Sequence, residues 1–214
     1  MAQPRIVEVR DDLVVVDKPS GMRVHPADAD GALDLCRWLG ERDDLPAGLV
    51  PVHRIDAGTS GAVLCAATPT SRTRLAGWFA DGKVKKTYLA LVVGRARKKG
   101  VVRRPLRDPR RKRSLDAVTR WWRVESLGGF SLVRVVPETG RRHQIRRHLH
   151  GIGLPVVGDE RYRPRRFVPV PGFPGRLWLH AHRLALPEGS EVVVELPDEL
   201  ADHLELLRRG PAGG

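Results

Sequence analysis

The stretch AVTRWWRVESLGGFSLVRVVPE, residues 117–138, limits the fold more than any other part of the chain. It is two segments of β-branched and aromatic residues separated only by Gly128 and Gly129. A link that short joins antiparallel neighbours, because a parallel pair needs a crossover of about a dozen residues or more. The same pattern occurs at IVEVRDDLVVVDKPSG, residues 6–21, where Asp11 and Asp12 mark the break. Further strands are predicted at residues 62–67, in VKKTYLALVVG (84–94), in RLWLHAHRLAL (176–186) and in EVVVELP (191–197). Helices are predicted at 32–42, from Pro69 with Thr68 as its cap, at 139–151 with Thr139 as cap, and at 198–209 with Asp198 as cap. Leu75, Trp78 and Phe79 form the apolar stripe of the second helix, and Ile145, Leu149 and Ile152 that of the third. Strands dominate and helices interrupt them irregularly. The expected class is α+β, a mostly antiparallel mixed sheet with flanking helices. It is expected as a single domain over residues 1–208, followed by a disordered tail at 209–214.

A chain of 214 residues can bury a sizeable core. It carries 38 Lys and Arg against 25 Asp and Glu, a net charge of +13. Genome composition can explain arginine in place of lysine, but not this excess of bases over acids. The resulting positive field favours a polyanionic partner. No apolar run approaches the ~20 residues that span a bilayer, and MAQPRIVEVRDD lacks the apolar core of a signal peptide. Cys36 and Cys65 each lie in an apolar run, so both read as buried free thiols of a cytoplasmic protein. The eight histidines raise a metal site. His180 and His182 alternate on one strand face, and His143, His148 and His150 crowd one helix. No cysteine pair or HExxH pattern accompanies them, and five residues from His143 to His148 is the wrong helical pitch. No metal is expected.

The chemistry concentrates at HRIDAGTSGAVLCAA, residues 53–67. A carboxylate near an arginine stays ionised, which suits Asp56 as nucleophile or base. Gly58 and Gly61 allow a sharp turn, Thr59 and Ser60 can satisfy its backbone, and the apolar run behind it is a rigid support. A structural salt bridge at a turn is the equal competitor. On the helix predicted after Thr139, Arg146 and Arg142 edge the packed stripe, where a half-buried guanidinium needs an anion. On the strand at 84–94, Tyr88 is the large aromatic of the face shared with Lys86, Ala90 and Val92, the more polar of the two. There it could stack on a base or be an ordinary half-buried tyrosine. Residues 95–113 form a basic stretch whose one acid is Asp108, read as an exposed loop, and 162–175 a proline-rich loop.

These segments together resemble the RluA-type pseudouridine synthases. HRIDAGTSG is similar to the family signature HRLDxxTSG. DKPSGMRVHP, KTYLALVVG, LDAVTRWWRV, TGRRHQIRRHLHGIGLPVVGDERY and LHAHRLAL resemble further family segments in family order, over about residues 8–200. Ile55 stands where the family usually has Leu, and Ala57 and Gly58 replace more polar residues. The pattern starts close to Met1, so the amino-terminal S4-type module of many relatives is expected to be absent, with the basic stretch 95–113 taking up substrate capture through phosphates. The resemblance implies isomerisation of uridine to pseudouridine in ribosomal or transfer RNA, with Asp56 as the essential carboxylate. Asp56 would act by attack on C1′, addition to the base, or removal of a ribose proton. The resemblance further implies that Arg146 pairs with Asp56, that Tyr88 stacks on the uracil, and that Arg54 fills the space left by the extruded nucleotide. His53, Arg141, His143 and Ile145 are implied at the substrate. No cofactor is implied, since substrate and product are isomers. The partner is RNA, no membrane is involved, and a monomer is expected. The alternatives are a catalytically silent RNA-binding or ribosome-assembly protein of the same fold, and a hydrolase that would release free uracil.

Overall fold

The computed structural model of the chain describes residues 2–26, 33–108 and 112–210. The elements in chain order are β1 (Arg5–Arg10), β2 (Leu13–Lys18), α1 (Leu35–Gly40), β3 (Val50–Pro51), β4 (Ser60–Ala66), α2 (Pro69–Ala80), β5 (Lys85–Val93), β6 (Lys99–Arg103), β7 (Leu106–Asp108), β8 (Arg113–Leu115), β9 (Val118–Leu127), β10 (Phe130–Pro137), α3 (Gln144–Gly151), β11 (Leu179–Ala185), β12 (Glu191–Val193) and α4 (Asp198–Arg209). They form two compact units. One takes the chain up to Lys86 together with Ala181–Glu195, the other Thr87–His180 together with the chain from Leu196. The expected α+β class, with mostly antiparallel strands and flanking helices, is the one observed.

In the first unit β1, β2, β4 and β11 lie side by side in that order, β12 pairs with β11, and β3 runs along the Cys65 end of β4. The break at Asp11 and Asp12 is a hairpin turn, with Asp11 at φ 44°, a conformation that aspartate tolerates better than most side chains. β2 carries the apolar run Leu13–Val16 and β4 the run Gly61–Ala66, the signature of strands covered on both faces, and both strands are buried almost throughout. Helix α2 starts where its sequence signals place it. Thr68 accepts from the Ser71 backbone while the Ser71 hydroxyl serves the Thr68 N–H, with Pro69 in the first turn. Leu75, Trp78 and Phe79 then pack on Val15, Leu64, Leu184 and Val192. Helix α1 is shorter than predicted and is capped by Asp34, which accepts from the Arg37 N–H. Cys65 is buried, but Cys36 is only half-buried, its thiol bonded to the Val24 carbonyl.

Gly61, the second residue of β4, pairs with Lys18 of β2. Its φ is +108°, and a Cβ there would stand 2.3 Å from the Ala181 carbonyl oxygen on β11. No rotamer relieves a clash with backbone. Gly61→Ala is expected to destabilise the protein by about 3 kcal/mol or more, through strand separation and backbone strain together. Urea unfolding checks this; a loss below about 1 kcal/mol, the ordinary glycine-to-alanine range, would show that β4 and β11 do not approach this closely.

In the second unit the strand order is β5-β10-β9-β6, with β7 and β8 forming a separate hairpin. The basic stretch 95–113 is therefore not one exposed loop. It contains β6, paired to β9, and both strands of the small hairpin; residues 109–111 lie outside the described residues. Strand β6 ends the sheet order, and a sheet edge carrying Lys99 and Arg103 resists pairing with another chain, so charges that read as loop also suit an edge. Leu91, Leu132, Trp178, Leu200 and Leu204 make the core on one face, under α4. Helix α3 takes the opposite face, where Thr119 bonds both Gln144 and His148. That packing corrects the reading of β5. The face of Tyr88, expected to be polar, is covered, and Tyr88 is only 9% exposed.

Two caps also differ from expectation. Helix α3 begins at Gln144 with His143 in the left-handed region at its start, because Thr139 gives its hydroxyl to the Gln144 side chain. Helix α4 begins after Pro197, so Asp198 is a first-turn residue rather than the cap. Ile152 follows the end of α3 and is 42% exposed, outside the buried stripe that Ile145 and Leu149 keep. Arg209, expected in the tail, ends α4; residues 211–214 lie outside the described residues.

Candidate active site

Asp56 sits at the start of a turn closed by Thr59 N–H donating to its own carbonyl at 3.0 Å. The turn leads into β4, which is buried from its first residue. Its other anchor is the last residue of β2 and the segment after it. Lys18 is 0% exposed, and its ammonium donates to the carbonyls of Pro19 (2.7 Å), Met22 (2.8 Å) and Ala57 (3.2 Å). Gly21 N–H also donates to the Ala57 carbonyl at 2.9 Å, and the Ser20 hydroxyl to the Gly58 carbonyl at 2.8 Å. A buried ammonium is costly unless its donors are satisfied, and here it holds the two residues after Asp56 by their backbone. Local pattern in DKPSG does not point to this task. The signal was a lysine at the end of a buried strand, two residues after a run of valines, where a charge needs a specific partner.

His53 braces the same turn from the other side. Leu64 N–H donates to its Nε2 at 2.9 Å, so the neutral ring carries its proton on Nδ1. The ring stacks on Phe79 at 4.3 Å between centroids. Burial, and then the Lys86 charge, push its pKa from 6.5 down to about 3. Ile55 is buried and Arg54 exposed between these two fixed points. Between those two pH values the unfolded chain binds a proton at residue 53 that the folded chain does not. The stability this group provides is complete above pH 6.5 and is lost as pH falls toward 3. One such proton gives a slope of up to about 1.4 kcal/mol per pH unit. Urea unfolding from about pH 7 to about pH 4 is therefore expected to show a shallower decline for His53→Gln, which does not titrate, than for the natural chain. Parallel curves would contradict the buried neutral imidazole.

The second unit carries Tyr88, Arg141, His143, Ile145 and Arg146. Gln144 organises the start of α3 in place of a cap. Its amide donates to the Val118 carbonyl (2.9 Å) and the Thr119 hydroxyl (3.0 Å), and its carbonyl accepts from Thr139 (2.7 Å) and the Arg141 N–H (3.0 Å). Arg141 is exposed and donates from Nε to the Asp116 carbonyl at 3.0 Å. Ile145 is buried. His148 is buried between the Arg104 carbonyl and the Thr119 hydroxyl, 2.9 Å from each, and burial lowers its pKa.

Arg146 makes a pairing that sequence reasoning missed. Its Nε donates to Asp159 Oδ2 at 2.7 Å and its Nη2 to Oδ1 at 2.8 Å. Asp159 is fully buried, and its Oδ1 also accepts from the N–H groups of Arg161 (3.0 Å) and Tyr162 (2.9 Å). Burial works to raise the Asp159 pKa, but the Arg146 bonds and the backbone N–H groups outweigh it and hold the carboxyl below its usual range. The guanidinium lies 5.3 Å from the Tyr162 ring centroid, and the Tyr162 hydroxyl meets His143 Nδ1 at 3.2 Å. Two bonds to one buried carboxylate fix the plane of a guanidinium, and so the direction of its remaining Nη1. The GDERY segment held the signal: an acid between buried valines and a tyrosine must have a partner.

Among the described residues no three His, Cys, Asp or Glu side chains are placed to hold a metal ion, and no helix is long and apolar enough to cross a membrane.

The pattern of the RNA pseudouridylate synthase family matches residues 12–151. The chain is 32% identical to a tRNA pseudouridine synthase C of Haemophilus ducreyi, covering 81% of each protein. It is 34% identical to a ribosomal large subunit pseudouridine synthase D of Nitrosomonas europaea, over 94% of this chain and 64% of that one. Among solved structures, human RNA pseudouridylate synthase domain containing 4 superposes with a TM-score of 0.79 at 26% identity, over 95% of this chain and 92% of that one.

Proposed function

Since the chain belongs to the RNA pseudouridylate synthase family, whose members are isomerases, we propose that it converts uridines of ribosomal or transfer RNA to pseudouridine with Asp56 as the essential carboxylate. The observation that carries this reading is the backbone lock around that residue. Lys18, Ser20 and Gly21 hold Ala57 and Gly58 while His53 ties the other side to β4. A carboxylate that must meet one atom of a substrate needs such a support, since a small misplacement costs much of the rate.

The reaction balances within the nucleotide. The N1–C1′ bond breaks, the uracil turns, C5 bonds to C1′, and the proton leaving C5 is matched by one gained at N1. No oxidant, reductant or second substrate enters, and no cofactor is assigned. The target must leave its stack for its glycosidic carbon to be reached. Asp56 is assigned to the covalent or proton-transfer step, Arg146 to supplying a fixed positive charge, and Tyr88 to stacking on the base. Arg54, exposed beside Asp56, is assigned to the space the nucleotide vacates, and Arg141 and His143 to the RNA. His53 and Ile145 are assigned to holding the turn and α3 that carry these groups. Residues 1–208 are read as one catalytic domain, in keeping with a family match that runs through both units. The protein is assigned to the cytoplasm as a monomer, with RNA as partner. The two RNA classes come from the names of its relatives, one acting on transfer RNA and one on the large ribosomal subunit.

The test is incubation of the protein with uridine-labelled transfer and ribosomal RNA, followed by nucleoside analysis. Pseudouridine is the expected product. Tight binding with unmodified RNA overturns the proposal in favour of a silent RNA-binding protein, and free uracil overturns it in favour of a hydrolase.

A further inference from the structure

We propose that residues 161–168 form an RNA-gripping arm, in which Phe167 stacks on an unpaired base while Arg165 and Arg166 hold the neighbouring phosphates. RNA as the partner rests on the function proposed above; the arm itself rests on three observations.

The first is exposure. Phe167 is 91% exposed, the most open large apolar side chain among the described residues. The second is that the exposure is built by an anchored segment. Beyond Phe167 the chain alternates, with Val168 and Val170 packed on the core of the second unit and Pro169 and Pro171 exposed. The Pro171 carbonyl meets His203 Nε2 at 2.9 Å, and the other nitrogen of that imidazole accepts from Trp178 Nε1 at 3.0 Å. At the near end, Asp159 accepts from the N–H groups of Arg161 and Tyr162. A segment tied at both ends and stiffened by Pro164, Pro169 and Pro171 turns Phe167 outward, and ordering it on a ligand costs little entropy.

Charge is the third observation. Arg161, Arg163, Arg165 and Arg166 precede Phe167, and no Asp or Glu occurs between Glu160 and Glu188. Arg163 is bonded to the Glu160 carbonyl, but Arg165 and Arg166 are exposed and make no side-chain hydrogen bond or ion pair among the described residues. A single exposed apolar residue needs no explanation. An aromatic ring on a stiff support between unpaired guanidinium groups matches single-stranded nucleic acid, whose bases offer π faces and whose phosphates offer bidentate acceptors. The arm also starts from the turn that Asp159 shares with Arg146, so RNA held by it lies along the same unit that presents that side chain.

The experiment measures binding of the full chain to an oligouridine single strand and to a blunt RNA duplex of equal length. Phe167→Ala is expected to weaken single-strand binding about tenfold and to leave the duplex unchanged. Phe167→Trp is expected to keep the affinity and Phe167→Leu to behave like Phe167→Ala. Arg165→Ala and Arg166→Ala are each expected to lower the salt dependence of single-strand binding by about 0.7 in the log–log slope. Thermal unfolding of the Phe167 variants is expected to match the natural chain, since the ring is 91% exposed.

Unchanged single-strand affinity in Phe167→Ala overturns the arm, as does full affinity in Phe167→Leu, which would mean an apolar contact without stacking. Phe167-dependent binding to anionic phosphatidylglycerol vesicles in preference to RNA overturns it in favour of a membrane surface. A protein that forms no pseudouridine yet binds RNA through Phe167 would refute the proposed reaction and leave the arm standing.

Discussion

Asp56→Asn is expected to remove pseudouridine formation, by on the order of 10³-fold or more, and to leave the fold intact. The two halves of this expectation have separate causes. Asparagine has the size and shape of aspartate but no negative charge. It can neither attack an electrophilic carbon nor take a proton at neutral pH, and this is what a reacting group in such a site must do. The fold is insulated because the turn is held through the backbone of its neighbours. Ala57 and Gly58 keep their bonds to Lys18, Gly21 and Ser20, Leu64 keeps its bond to His53, and residue 56 contributes a carbonyl that asparagine also has. Chemical labelling of pseudouridine in treated RNA reads the first half and thermal unfolding the second. A variant that unfolds would make Asp56 a structural acid, and one that stays folded and active would exclude it as the reacting group.

The second large effect concerns the buried pair. Asp159→Ala is expected to cost about 3–5 kcal/mol, because it removes the buried carboxylate that takes two bonds from the largely buried Arg146 guanidinium and two from backbone N–H groups. For a chain of this size that lowers the melting temperature by on the order of 10 °C. Removing both charges is a different case. Asp159→Leu combined with Arg146→Met replaces a desolvated ion pair with apolar packing, and much of the lost stability is expected to return. Activity is not expected to return with it. Arg146→Met alone is expected to reduce turnover far more than RNA affinity, since under the proposed function it removes the fixed positive charge assigned to the reaction. Equal losses in turnover and affinity would make Arg146 a simple phosphate contact. A double variant no more stable than Asp159→Ala would show that the site needs this ion pair for packing as well.

Much of this molecule was legible from local pattern. The hairpins at Asp11 and Gly128, the Thr68 cap, the buried β4 and the class of the fold each follow from residues close in sequence. What local pattern misread had one kind of cause. Thr139 looks like a helix cap, yet its hydroxyl goes to Gln144, and α3 starts later. Tyr88 looked half-exposed because Lys86 shares its strand face, yet α3 packs on that face from residues far along the chain. The stretch 95–113 looked like solvated loop because it is basic, and it contains a strand at a sheet edge.

The site divides in the same way. The Asp56 cluster stood out because histidine, arginine and aspartate ahead of a glycine turn and an apolar strand are all adjacent in sequence. The residues that hold the Asp56 turn, and separately those that hold Arg146, were not visible. Lys18 reaches Ala57 across 39 positions of chain, and Asp159 reaches Arg146 across 13. The amino-acid order by itself determined which groups carry charge, where the backbone turns, and which runs are apolar enough to be buried. Only the tertiary structure decided which carbonyls receive the Lys18 ammonium and which carboxylate takes the Arg146 guanidinium. A buried ion must be satisfied by whatever the folded chain brings within about 3 Å of it, and that partner is set by packing in space rather than by spacing along the chain.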